Sequence, residues 1–342
     1  MGTSPTVSII ISSYNYGHLL DKTIGSILAQ TYRDYEIILI DDGSTDDTES
    51  VVSKILSENP DVSLIYLKTS NGGVANAQNL GVSKASGRYL MFMDADDWMD
   101  PNCLETLVDS AVSNDADRVI GSFRFADDDG KELKREVISK VDGVSMWCYT
   151  YCHACLFRAD LYRSSGIILE SHMAADIEKV FKFNCHAERI VSVERMTYNY
   201  RIHASETRDG SVLLERITSR NPRYSLESYL SPLKEYAESN LPKDRYDAFE
   251  YGLIRTYYGK VLLSTQGYPY KDALRIYDTY RSDLTRYFPD YLKNKLILGT
   301  FIGFSFSRKM AVPVCGLLER MHLFRTFLRM YTFITRKKRI VD

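Results

Sequence analysis

Thr6-Val7-Ser8-Ile9-Ile10-Ile11 is apolar without alternation. Such a run is stable as a strand only when both its faces are covered, as inside a parallel sheet flanked by helices. The pattern then repeats. His18 to Gln30 places Leu20, Ile24, Ile27 and Leu28 at helical spacing, and Tyr35 to Ile40 is a second buried run. Thr48 to Leu56 reads as a helix that Ser44, Thr45 or Asp46 can cap. Val62 to Leu67 and Arg88 to Met93 are two more strands. Between them Val74 to Ala85 forms a helix entered through Gly72-Gly73. Pro101 opens a further helix, where a missing N–H is harmless. Repeated βαβ units predict an α/β fold with an open, doubly wound, mostly parallel sheet.

From about Asp117 the strands shorten and polar loops intervene, including Ala126-Asp127-Asp128-Asp129-Gly130-Lys131. Beyond a boundary near Thr207 to Gly210, the chain from Leu213 is helix after helix, rich in Tyr, Leu and Arg. The expected division is a catalytic domain over 1–210 and a helical accessory domain over 211–342. A net charge of -2 argues against a nucleic-acid partner, but the charge is unevenly spread. From Pro289 to Asp342 eleven Lys or Arg face three Asp or Glu. Leu317 to Ile334 reads as one basic amphipathic helix with His322, Arg325 and Arg329 on one side, followed by Arg336-Lys337-Lys338-Arg339. That pattern suits a membrane surface. Six cysteines do not make a disulfide scaffold, and no run is long enough to span a bilayer. The expected location is cytoplasmic, peripheral on the inner face of the cell membrane.

Carboxylates collect where the predicted strands end: Asp41-Asp42 after the second, and Asp94, Asp96 and Asp97 after the fourth. Ligands of open α/β sheets bind beyond those ends. Several carboxylates held together repel unless a cation lies among them, and oxygen donors suit Mn²⁺ or Mg²⁺. No glycine-rich phosphate cradle of the dehydrogenase or P-loop kind is present. A diphosphate would therefore be held through the cation. Asp46 and Asp47 fit better as helix caps.

Five segments in order resemble family 2 glycosyltransferases with the GT-A fold. They are Thr6 to Asn15, Ser26 to Tyr32, Ile40-Asp41-Asp42-Gly43-Ser44-Thr45-Asp46, Asn71-Gly72-Gly73-Val74, and Phe92-Met93-Asp94-Ala95-Asp96-Asp97. Together they cover roughly the first 120 residues. The resemblance implies an inverting transferase using a nucleotide-activated sugar, a UDP-sugar by the family's habit. Its acceptor would be a glycan or lipid-linked glycan of a surface polysaccharide. Ser12, Tyr14, Asp41, Asp42, Asn79 and Asp94 would line the donor nucleotide, with Asp42 on the base. Asp96 and Asp97 would serve the metal. One departure is Ala77-Gln78-Asn79, where the family has Ala-Arg-Asn; Gln78 lacks the fixed charge.

Inverting transfer needs a general base on the acceptor side. Ala174-Ala175-Asp176-Ile177-Glu178 resembles the family's short acidic motif, which makes Asp176 the base and Glu178 its fallback. His153 to Arg158 resembles the strand that floors the acceptor site. His203, closing Tyr198-Asn199-Tyr200-Arg201-Ile202-His203, would approach the diphosphate. Cys148, Cys152, His153 and Cys155 lack the spacing of a zinc site. Two rivals are a sugar nucleotidyltransferase and a non-catalytic, membrane-attached nucleotide-sugar-binding subunit. The first would carry a basic glycine-rich N-terminal loop, whereas Ser12 to Gly17 holds neither Arg nor Lys.

Overall fold

A computed structural model describes residues 4–170, 175–203, 226–299 and 306–335. The chain forms two compact units. The first comprises Met1–Lys140 and Tyr151–Ala204, and the second Val141–Thr150 and Ser205–Asp342. The expected division was a single cut at 210; instead a short internal stretch belongs with the helical unit.

The first unit is built on one sheet. Strands β1 (Val7–Ser13), β2 (Tyr35–Asp41), β3 (Leu64–Lys68) and β4 (Tyr89–Asp94) pair in parallel in the order β3-β2-β1-β4. Val7, Ile9, Ile10 and Ile11 are fully buried, as are Ile37 to Ile40, which is why these strands read as unbroken apolar runs. β3 lies at the sheet's edge and is only half-buried.

Helices α1 (Gly17–Leu28), α2 (Thr48–Glu58), α3 (Val74–Lys84) and α4 (Cys103–Ser113) fill the crossovers. Gly81 lets α3 approach β1 closely, since a Cβ there would sit 2.4 Å from Ile10 Cγ2. A Gly81→Ala chain should fold less stably by about 1–3 kcal/mol, read as a lower urea midpoint; an unchanged midpoint would show that Ile10 yields freely.

Beyond β4 the sheet becomes mixed. β8 (Cys155–Arg158) runs antiparallel to β4, and β6 (Arg118–Ala126) antiparallel to β8. β9 (Ile190–Arg201) pairs with β6 in parallel, and the two-residue β5 (Trp98–Met99) lies antiparallel on β9. β7 (Glu132–Glu136) makes a hairpin with β6. Two short helices complete the unit, α5 (Ala159–Ser164) and α6 (Ala175–Asn184).

The second unit is helical over its described residues: α7 (Glu227–Asn240), α8 (Lys243–Thr265), α9 (Tyr270–Tyr287), α10 (Phe306–Arg320) and α11 (Phe324–Thr335). The expected single helix over Leu317 to Ile334 is broken. His322 adopts φ 59°, its N–H donates to the Glu319 carbonyl at 3.0 Å, and Leu323 N–H reaches the Leu318 carbonyl at 2.7 Å. This pair of bonds is a Schellman stop, made here without the usual glycine. His322 therefore lies in a turn and does not share a helix with Arg325 and Arg329. The Arg336-Lys337-Lys338-Arg339 run and the expected boundary at Thr207 to Gly210 lie outside the described residues.

Candidate active site

The parallel strands bring their last residues to one edge. Ser12 pairs with Asp94, and Ser13 with Asp41. The turn after β1 turns on Asn15, at φ 60°. Asn15 Oδ1 accepts the Thr45 N–H at 2.8 Å, and its own N–H donates to Ser44 Oγ at 2.9 Å. The two loops are thus interlocked. Ser12 is partly open and Tyr14 is exposed, so both can meet a ligand.

The first acidic pair is largely engaged in holding loops. Asp41 is fully buried; it accepts the Ser44 N–H at 2.7 Å and the Tyr66 hydroxyl at 2.8 Å. Asp42 accepts the Gly72 and Gly73 N–H groups at 2.8 and 2.7 Å, one on each oxygen. Gly73 needs its positive φ of 85° to enter α3. Asp42 therefore shapes the Asn71-Gly72-Gly73 loop, whatever else it contacts. Asp46 accepts from Gly17 N and Thr48 N as a cap would, whereas Asp47 makes no side-chain cap bond.

Asn79 has partners within the protein. Its amide donates to the Leu169 carbonyl at 2.9 Å and accepts the Leu169 N–H at 3.0 Å. Both ends of the side chain thus tie α3 to the segment before α6. Its neighbour Gln78 is buried, and its Oε1 has no hydrogen-bond partner among the described residues.

The second acidic cluster is the centre of the site. One oxygen each from Asp94, Asp96 and Asp97 lies within 4.8 Å of the others. Thr23 on α1 fixes the turn, its hydroxyl 2.8 Å from the carbonyls of both Ala95 and Asp97. Asp97 is buried, and its oxygens accept the Tyr198 hydroxyl at 2.7 Å and the Arg201 N–H at 2.8 Å. It anchors the turn to β9, which leaves Asp94 and Asp96 the better placed to offer oxygens outward. Asp96 Oδ2 meets His203 Nε2 at 2.8 Å, and Arg201 Nε donates to the Asp96 carbonyl at 2.6 Å. Asp128, in the β6–β7 hairpin, approaches Arg201 at 3.2 Å and His203 Nδ1 at 3.4 Å.

Burial first, then the charges of Asp176 and Asp96, push the Asp94 carboxyl up to about 7. Asp97 is raised too, by burial and then by Asp94 and Asp96. A cluster that resists losing its protons is one that a divalent cation would relieve, so the donor set fits Mn²⁺ or Mg²⁺. The sign for stability follows. Without metal, the fold keeps a proton on Asp94 that the unfolded chain releases near pH 4, so stability falls as pH rises from about 4 to 7. Melts in EDTA should show that fall, Mn²⁺ should reverse it, and Asp94→Asn should flatten it. A slope unchanged by Asp94→Asn would show that other groups cause it.

Asp176 lies in the first turn of α6, half-exposed, and is the largest charge acting on Asp94. Lys179, one turn on and fully buried, holds its ammonium 3.5 Å from Asp176 Oδ1 and 3.6 Å from the centre of the Phe92 ring. The sequence reading missed Lys179, although its i,i+3 spacing from Asp176 was visible. It also missed Arg201, two residues before His203. Glu178, the fallback base, is fully buried; it accepts the Glu170 N–H at 3.1 Å and pairs with Lys182 at 2.7 Å. That makes it a brace inside α6 with no oxygen facing outward. His153 sits among Phe123, Tyr151, Tyr198 and Tyr200, where burial pushes its imidazole down to about 4. Burial likewise raises the thiols of Cys148, Cys152 and Cys155, as expected of packed cysteines.

Residues 8–165 match the glycosyl transferase family 2 profile. That stretch, a little under half of the chain, is similar to members of that family. Among relatives, the glycosyltransferase GlyG of Streptococcus pneumoniae is 37% identical over 128 residues, covering 37% of this chain and 42% of that protein. A poly(ribitol-phosphate) beta-glucosyltransferase of Bacillus spizizenii is 27% identical over 236 residues, covering 67% of this chain and 37% of that one. The matches thus span less than half the length of these two relatives. Crystallised TarS 1-349 of S. aureus, in complex with UDP, superposes with a TM-score of 0.63 at 15% identity, covering 95% of this chain and 90% of that one. The mannosyltransferase PcManGT of Pyrobaculum calidifontis, in complex with GDP-Man and Mn²⁺, gives 0.56 at 15% identity, covering 98% and 88%. The unit that carries this match has the GT-A fold, joined in the chain to a helical C-terminal region.

Proposed function

We propose that this glycosyltransferase moves one sugar, with inversion, from a nucleoside-diphosphate donor, a UDP-sugar, to a hydroxyl of a glycan or lipid-linked glycan. The reading rests on one observation: Asp94, Asp96 and His203 meet at the strand-end edge that also carries Ser12 and Asp42, with Asp176 beside Asp94. The UDP complex of TarS and the GDP-Man and Mn²⁺ complex of PcManGT, on the same fold, support a nucleotide donor and a divalent cation.

Ser12, Tyr14 and the loop shaped by Asp42 receive the nucleoside, and Asp94 the ribose. Asp96 holds the metal, with Asp97 buttressing the turn, and His203 stands beside it where the diphosphate would lie. When bound, Mn²⁺ or Mg²⁺ would offset the charge that develops on the departing diphosphate. Asp176 takes the proton of the attacking hydroxyl. The acceptor belongs to a surface polysaccharide, and the enzyme works peripherally on the inner face of the membrane; the glucosyltransferase relative, named for poly(ribitol-phosphate), supports a polymeric acceptor.

The test is nucleotide release from a panel of UDP-sugars with Mn²⁺. Release should stop in EDTA, return with Mn²⁺, and fall at least a hundredfold in Asp96→Ala, on the order of one strong charge-stabilising contact. Binding of UDP without turnover of any donor would instead favour a non-catalytic sugar-nucleotide-binding subunit.

A further inference from the structure

In α11, Phe324, Leu328, Thr332 and Thr335 form the buried face at helical spacing, with the Phe324 ring stacked on Tyr277 at 4.8 Å. A soluble helix would then turn polar groups outward. This one does not. Met330, Phe333 and Ile334 are 56%, 76% and 72% exposed, and Leu317, Met321 and Leu323 in and after α10 are exposed as well. An apolar patch of that kind marks a binding surface. Beside it lies a groove of about 550 Å³ lined by Tyr268, Tyr270, Arg329, Met330, Phe333 and Ile334. Among the described residues that line it, Arg329 is the cation, its guanidinium 5.9 Å from the Tyr270 ring. Tyrosines beside an arginine, bordered by exposed large apolar side chains, are the composition of a surface lying at the level of lipid headgroups.

We infer that the outer face of α11 docks on an anionic lipid bilayer, with Met330, Phe333 and Ile334 entering the acyl boundary and Arg329 meeting lipid phosphate in the groove. Charge complementarity selects this occupant over a second copy of the chain. The segment from Pro289 carries eleven Lys or Arg against three acids, so two copies would bring like charges together, whereas an anionic leaflet would attract them. The inference rests on the peripheral-membrane part of the proposed function and gives it a surface.

The experiment is co-sedimentation of the full chain with vesicles of phosphatidylcholine alone or with one-quarter phosphatidylglycerol. The wild type should bind the anionic vesicles at least tenfold more tightly. A Met330→Glu, Phe333→Glu, Ile334→Glu variant should lose at least tenfold of that binding, and Arg329→Ala several-fold. These side chains are exposed, so an unchanged melting temperature should accompany the loss. Wild-type protein that pellets with neither vesicle would remove the membrane reading itself. Equal pelleting of wild type and the triple variant would leave that reading standing and overturn this face. A wild-type dimer that the triple variant dissociates, without vesicle binding, would assign the face to a second copy.

Discussion

Asparagine in place of Asp176 should lower turnover about a thousandfold, the middle of the range for losing a general base, while UDP affinity changes by less than threefold. The side chain keeps its size and its place in the first turn of α6, so only the proton acceptor is removed. Lys179 holds its buried ammonium 3.5 Å from Asp176 Oδ1 and over the Phe92 ring, a contact that an asparagine oxygen can keep. Single-turnover rates and UDP titrations on both proteins separate chemistry from binding. Loss of less than tenfold would remove Asp176 from the proton transfer. Glu178 could not replace it, being fully buried between Lys182 and Glu170 N–H.

The largest stability effect should come from Glu319→Ala, about 4 kcal/mol, near the upper end for a single substitution. Glu319 is buried in α10 and accepts four tyrosine hydroxyls. Tyr257 and Tyr277 donate to Oε1 at 2.9 and 2.7 Å, and Tyr258 to Oε2 at 2.9 Å, where Tyr291 joins it. Arg281 adds a positive charge beside the group. Alanine would leave four buried hydroxyls without their acceptor, each worth about 1–3 kcal/mol if no other partner is found. Glutamine should cost less, because one oxygen can still accept two of them. Urea unfolding followed by tyrosine fluorescence gives both values. A cost below 1 kcal/mol for alanine would mean that water or a neighbour takes over the hydroxyls.

How much of this was legible beforehand follows the range of the interactions. β1, β2 and β4 announced themselves because a strand covered on both faces has to be apolar throughout, and the carboxylates at their ends followed directly. β5 did not, since two residues become a strand only by lying against Tyr198 and Asn199, about a hundred positions on. Asp42 was visible as an acid after a strand, but its hold on Gly72 and Gly73 depends on how the next loop folds back. For Asn79, its position within a recognisable motif suggested a ligand, but nothing in the motif announced the two bonds its amide makes with Leu169, ninety residues on. The stop at His322 was hidden because its signal is normally glycine. Glu319 was one of three acids in a basic tail, and only the packing of three helices and the Tyr291 turn brings its tyrosines together.

The stretch Val141–Thr150 separates continuity of chain from continuity of fold. Trp147 within it is fully buried, its ring 5.5 Å from that of Phe249 in α8. The polypeptide therefore leaves the catalytic unit, returns to it and leaves again. A chain ended near residue 210 would keep Trp147 while losing its α8 partner, and should show a red-shifted, quencher-accessible tryptophan. Relatives that recombine could not exchange the helical unit at a single junction without stranding this decapeptide. A helical unit exchanged intact would have to bring its own version of Val141–Thr150 with it.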